Sequence, residues 1–149
     1  MAEVMFYHLE HQELEDVLPV LLEKTLARGW KAVVELPDAA RLETLDRHLW
    51  VFREDSFLPH ASEREDSGEQ QPVWLTTGRT NPNGAAVRFL AGGAEPEAVA
   101  DYARVILLFS SDDEAAIARA RQHWKPLKAA GHDCTYWQQT LAGGWTKKA

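Results

Sequence analysis

Residues 104–109, Arg-Val-Ile-Leu-Leu-Phe, constrain this chain more than any other stretch. Five consecutive apolar side chains leave no polar face. The run is far below the ~20 residues that cross a membrane. Its β-branched and aromatic content reads as a strand, and a strand that is apolar on both faces needs cover on both faces. Residues 104–109 are therefore the expected central strand of a sheet with helices packed on it.

The neighbouring segments alternate in kind. Residues 4–9, Val-Met-Phe-Tyr-His-Leu, read as a first strand. Leu14, Val17, Leu18, Leu21 and Leu22 then recur at helical spacing. Pro19 lies within that pattern. A proline is tolerated in a first turn, where N–H groups lack helical partners, so Asp16 is the expected N-cap of a helix over 17–27 that Gly29 ends. Residues 30–36 read as a second strand stopped by Pro37. Asp38 then caps a helix whose buried stripe is Leu42, Leu45 and Leu49 and which ends at Trp50. This order predicts a βαβ unit with a parallel strand pair.

Residues 73–76 and 86–90 are shorter strands, and 96–102 one or two helical turns. After the central strand, Ser111 and Glu114 have the spacing of a capping box for a helix reaching about Ala130, where Gly131 stops it. Residues 134–138 are the last strand. Two stretches lack periodicity: the acidic segment 61–72, a solvated loop, and the tail 140–149, expected to be loosely held. With no linker and no internal repeat, the 149 residues read as one domain, large enough to bury roughly 70% of its unfolded surface. The expected class is α/β, a Rossmann-like, mainly parallel sheet flanked by helices.

Charge narrows the partners. The formal net charge is −7, so the surface as a whole repels phosphate backbones and no direct nucleic-acid binding is expected. Against that background, Arg119, Arg121, Lys125 and Lys128 fall within ten residues with no acidic residue among them. A basic patch on an acidic body selects a small acidic partner. The N-terminal residues lack a signal-peptide pattern, no run is long enough for a membrane, and the single Cys134 builds no disulfide framework. The cytoplasm is the expected compartment.

Cofactor and catalytic signals are missing from the sequence. The first strand–helix turn is Leu9-Glu10-His11-Gln12, without the glycines of a dinucleotide fingerprint, and no phosphate-binding loop motif follows elsewhere. No cofactor is expected. His132, Asp133 and Cys134 have no C-x-x-C or H-E-x-x-H to complete a metal site. His8, Glu10 and His11 lack a nucleophile and read as surface residues, and Ser56 and Ser62 have no nucleophile-elbow setting. The chain reads as a non-enzyme. The alternative is a Rossmann-like enzyme or small-ligand protein with a polar pocket beyond the carboxyl ends of its strands.

Two clusters carry a functional reading. Trp50 ends a helix, and Phe57 follows in Ser56-Phe57-Leu58-Pro59-His60. These aromatics either close the sheet edge as core or anchor a protein partner. Arg121, Trp124, Lys125 and Lys128 are spaced three, one and three apart, which gathers three cations around one indole on a helix. Ile117, Ala120, Trp124 and Leu127 define that helix's buried stripe. The cluster is either a solvated basic face with one core tryptophan or an apolar slot rimmed by positive charge. Such a slot suits a peptide ending in an aromatic residue and a carboxylate. Pro126 is expected to kink or interrupt the helix beside it.

At these residues the sequence resembles the chi subunit family of bacterial DNA polymerase III. Phe6-Tyr7-His8-Leu9 resembles the family's first strand. Leu45-Asp46-Arg47-His48-Leu49-Trp50 and Ser56-Phe57-Leu58-Pro59-His60 resemble its most characteristic stretch, and Arg121-Gln122-His123-Trp124-Lys125 through Ala130-Gly131 its C-terminal pattern. Trp124 stands where well-known members carry tyrosine. The resemblance implies a cofactor-free α/β adaptor. It also implies binding to the psi subunit or another clamp-loader component through Trp50 and Phe57. Arg121, Trp124 and Lys125 would bind the acidic C-terminal tail of single-stranded-DNA-binding protein, with Lys128 added by helical spacing.

Overall fold

A computed structural model describes residues 2–10, 14–51, 60–62, 72–78, 84–91, 99–141 and 144–148. They form an eight-stranded sheet from β1 (Glu3–Leu9), β2 (Ala32–Glu35), β3 (His60–Ser62), β4 (Val73–Thr76), β5 (Val87–Ala91), β6 (Arg104–Ser110), β7 (Asp133–Gln139) and β8 (Trp145–Lys147). The helices among the described residues are α1 (Leu14–Ala27), α2 (Ala39–Val51) and α3 (Glu114–Ala129), with a single 3-10 turn at Val99–Asp101. The strand order is β3-β4-β2-β5-β6-β1-β7-β8. Every pairing is parallel except β7 with β8.

The apolar run at 104–109 does take the interior. β6 lies between β5 and β1, and Val105 through Phe109 are all buried. Side-chain alternation splits its residues between two cores. Ile106 and Leu108 join Leu9, Leu18, Leu22, Leu45 and Phe89 beneath α1 and α2. Val105, Leu107 and Phe109 join Val4, Phe6, Ala116 and Ala120 beneath α3. The fold is thus the expected mainly parallel α/β sheet, helices on both faces.

Several local expectations need correcting. β1 and β2 run parallel in one sheet but do not pair, because β5 and β6 fill the gap between them. Chain-sequential strands are neighbours only about two-thirds of the time, and here the most apolar strand takes the middle. α1 begins at Leu14, so Asp16 lies inside the helix and is not its cap. Pro19 is buried within the helix rather than in its first turn. Trp30 precedes β2 and closes a Schellman turn, its N–H donating to the Thr25 carbonyl while Gly29 sits at φ 80°. Residues 61 and 62, expected in a loop, belong to β3; residues 63–71 lie outside the described set.

α3 is capped by Asp113, whose carboxylate accepts from the Ala116 N–H at 3.0 Å, and not by Ser111. The Ser111 hydroxyl is engaged elsewhere, donating to the Leu9 carbonyl at 3.1 Å. α3 runs unbroken through Pro126 to Ala129 and ends on a second Schellman turn at Gly131, φ 91°. The tail expected to be loose adds β8, which pairs with β7 and brings the Trp145 ring to 4.7 Å from that of Tyr7. Asp38 does cap α2, accepting from the Arg41 N–H at 2.8 Å.

Candidate functional site

The sequence-predicted basic–aromatic cluster sits where α3 crosses β7 at one side of the sheet. Ala116 and Ala120 are buried against the strands, and the small side chain of Ala120 lets the outer turns of α3 approach β7. Trp124 follows one turn later, half-buried. Its ring meets Phe6 edge-on at 5.2 Å and Tyr136 edge-on at 6.3 Å. Ala120, Arg121, Trp124 and Tyr136 enclose a hollow of about 240 Å³. Its walls are aromatic and its rim carries a guanidinium.

The predicted cations divide into different roles. Arg121 lines the hollow. The Lys128 ammonium lies 5.2 Å from the centre of the Trp124 ring, within cation–π range. Lys125 is exposed and does not line the hollow. Trp124 is half-buried, packed on the core beneath α3 and lining the hollow.

Tyr136 was missed by the sequence reading. Its hydroxyl lies 2.9 Å from His8 Nδ1, and His8 Nε2 lies 3.0 Å from Ser111 Oγ. Since Ser111 donates its own proton to Leu9, its oxygen accepts from His8 Nε2–H, and Tyr136 donates to Nδ1. That chain fits a neutral imidazole. Burial holds the His8 pKa below its ordinary value, with Arg121 adding to the depression and Glu10 opposing it. Burial also pushes the Tyr136 hydroxyl up, while Arg121 pulls it down. The Arg121 charge acts on both groups. His8, expected as a surface residue, is a half-buried support for that wall.

The other candidates differ. Trp50 falls in the last turn of α2, and Phe57 lies outside the described residues. At the carboxyl ends of β1 and β6, where a small-ligand protein would place its site, the hollow holds about 200 Å³. That is under the ~300 Å³ lower end of ordinary ligand pockets. Asp113, one of its carboxylates, is committed to capping α3. Among the described residues, no group of three His, Cys, Asp or Glu side chains is placed to hold a metal, and no helix is long and apolar enough to cross a membrane.

The chain is similar to known proteins of one family. A relative in Pseudomonas aeruginosa, DNA polymerase III subunit chi, is 30% identical over 123 residues, covering 80% of this chain and 84% of the relative. A second, from Rickettsia prowazekii, named "Probable DNA polymerase III subunit chi", is 29% identical over 87 residues. That alignment covers 58% of this chain and spans only 53% of the relative's length. The family model for the DNA polymerase III chi subunit, HolC, matches residues 1–135, which takes in β1, all three helices and the first residues of β7. This chain belongs to the DNA polymerase III chi subunit family.

Proposed function

We propose that this chi-family protein is a non-enzymatic replication adaptor. Its α3 slot takes the acidic C-terminal tail of single-stranded-DNA-binding protein, and its other contacts hold the clamp loader. The observation that carries the reading is the hollow bounded by Ala120, Arg121, Trp124 and Tyr136. An aromatic side chain followed by a free carboxylate matches that chemistry: the ring fills the aromatic-walled hollow and the carboxylate meets a planar, two-pronged donor. Lys125 and Lys128 extend positive charge along the exposed face for acidic residues upstream. The clamp-loader contact, through Trp50 and Phe57 to a psi-like or other subunit, rests on the family resemblance of those residues.

A direct titration tests this. A peptide ending in acidic residues, Pro and Phe should bind the full chain in the micromolar range, about −8 kcal/mol. A peptide of the same composition with the Pro-Phe end scrambled inward should bind far more weakly. Equal binding of the two, or none by either, refutes the tail site. Trp50→Ala should weaken capture of clamp-loader subunits in a pull-down while leaving peptide affinity unchanged. Loss of neither removes Trp50 from the proposal.

A further inference from the structure

A large cleft lies on the opposite face of the sheet from α3 and has no part in the tail site. It opens between the C-terminal half of α1 and the N-terminal ends of β1 and β6, and holds about 600 Å³. That is the volume of an ordinary small-molecule pocket. Tyr7 and Trp145, packed together at 4.7 Å, form an aromatic wall. Trp145 comes from β8, so the tail completes the cleft.

Its charge is unusual for this protein. Lys24, Arg28 and Arg104 line it, against the single carboxylate of Glu3. Two of the cations share one ring: the Arg28 and Arg104 guanidiniums each lie 5.3 Å from the centre of Trp30. The C-terminal dipole of α1 accounts for Lys24 and Arg28, but not for Arg104, which comes from β6. Neither Lys24 nor Arg28 has a carboxylate within ion-pair distance among the described residues. Among the described residues Arg104 pairs only with Glu3, at 3.3 Å, and its Nε has no acceptor. Much of the donor capacity of two guanidiniums and an ammonium is therefore unspent beside an aromatic wall.

We propose that this cleft binds an amphiphilic anion: an aromatic-sized apolar body against Tyr7 and Trp145, with a carboxylate or phosphate directed to Lys24, Arg28 and Arg104. The site is separate from the tail slot and stands or falls independently of it. The probe is 1-anilinonaphthalene-8-sulfonate, an aromatic anion whose fluorescence rises on binding, titrated into the full chain. Saturable binding is expected, weakened at least tenfold in the Lys24→Ala, Arg28→Ala double variant and unchanged in Arg47→Ala, an exposed cation of α2 that lines neither site. Lys24 and Arg28 are both exposed, so the double variant keeps its core. Competition identifies the head group. Naphthoate or naphthyl phosphate should displace the dye, whichever does so better naming the preferred anion, and neutral naphthol should displace it poorly. Dye binding that is indifferent to the double variant, or displaced equally by naphthol, overturns the proposal.

Discussion

Arg121 is the residue on which the proposed tail site depends most directly. It lines the hollow beside Trp124 and Tyr136, and its charge reaches His8 and Tyr136 through the wall. Truncating it to alanine removes a charge-assisted hydrogen bond to the peptide's terminal carboxylate, a loss of about 1.5–3 kcal/mol. That is about a 10- to 150-fold rise in Kd. Lys125 is exposed and Lys128 lies over the Trp124 ring rather than in the hollow. Their contacts to upstream aspartates are screened, so each alanine variant should cost about 1 kcal/mol or less, and the loss should shrink as salt rises. Amidating the peptide's C-terminus removes the other half of the Arg121 contact. It should cost about as much as Arg121→Ala and add little when the two are combined, because a shared interaction is lost only once. The assay is calorimetric titration of four combinations: native and variant protein, free and amidated peptide. The reasoning fails if amidation leaves affinity untouched, or if the two losses add in full.

Other parts of the molecule give separate tests. Arg88 and Glu35 form a nearly buried ion pair on neighbouring strands, with side chains 3% and 6% exposed, and the same guanidinium donates to the Tyr102 hydroxyl and the Gly78 carbonyl. Arg88→Met alone should cost about 3–5 kcal/mol in denaturant melts by removing the cation paired with a buried carboxylate, and adding Glu35→Leu should recover part of it. His8 is held below its ordinary pKa, so the unfolded chain takes up its proton first as pH falls. Its contribution is full above the unfolded value near 6.5 and is lost as pH drops through the folded value. The fall in urea midpoint over that interval should be smaller in His8→Gln than in the native chain; an unchanged fall refutes the assignment. Finally, the full chain should leave a bare single-stranded oligonucleotide unbound at physiological salt in fluorescence anisotropy, since its net charge is −7. Sub-micromolar binding would contradict that.

What could be read from the sequence was local. β4 is found at the expected residues, Asp38 caps α2, Gly29 and Gly131 end their helices, and the 104–109 run becomes an interior strand. Each is a property of a short window. Strand order is not, because β1 pairs with segments about a hundred residues away, and no periodicity encodes which partner it takes. The missed cap at Asp113 has the same origin. Ser111 and Asp113 are both good capping residues, and only the docking of β1 commits Ser111 to His8 and Leu9. β8 is three residues long, too short to show alternation. For the site, helical spacing groups Arg121, Trp124 and Lys125, of which Arg121 and Trp124 line the hollow and Lys125 does not. Alternation along 134–138 puts Cys134 and Tyr136 on one strand face. Only the packing of β7 against α3 turns that face into the wall of the hollow.

The two proposed anion sites share a design that bears on selectivity. Each sets cations beside an aromatic wall, on opposite faces of a chain whose net charge is −7. Fields from exposed charges fade within about 10 Å at ordinary salt, so a short ligand seated in either hollow experiences its local cations first. A long polyanion cannot confine itself to one hollow and must also lie along acidic surface. The aromatic walls strengthen the distinction, because burying a ring contributes free energy that salt does not screen. Tail-peptide binding should therefore keep a salt-resistant remainder set by Trp124 and Tyr136, whereas phosphate-backbone binding loses affinity steeply with the logarithm of salt concentration. Replacing Trp124 with alanine should remove that remainder, lowering affinity by a similar factor at every salt concentration and leaving the slope with salt as in the native chain. If the loss in Trp124→Ala instead shrinks as salt rises, the ring contributes no salt-independent share, and the cations alone account for whatever binding exists.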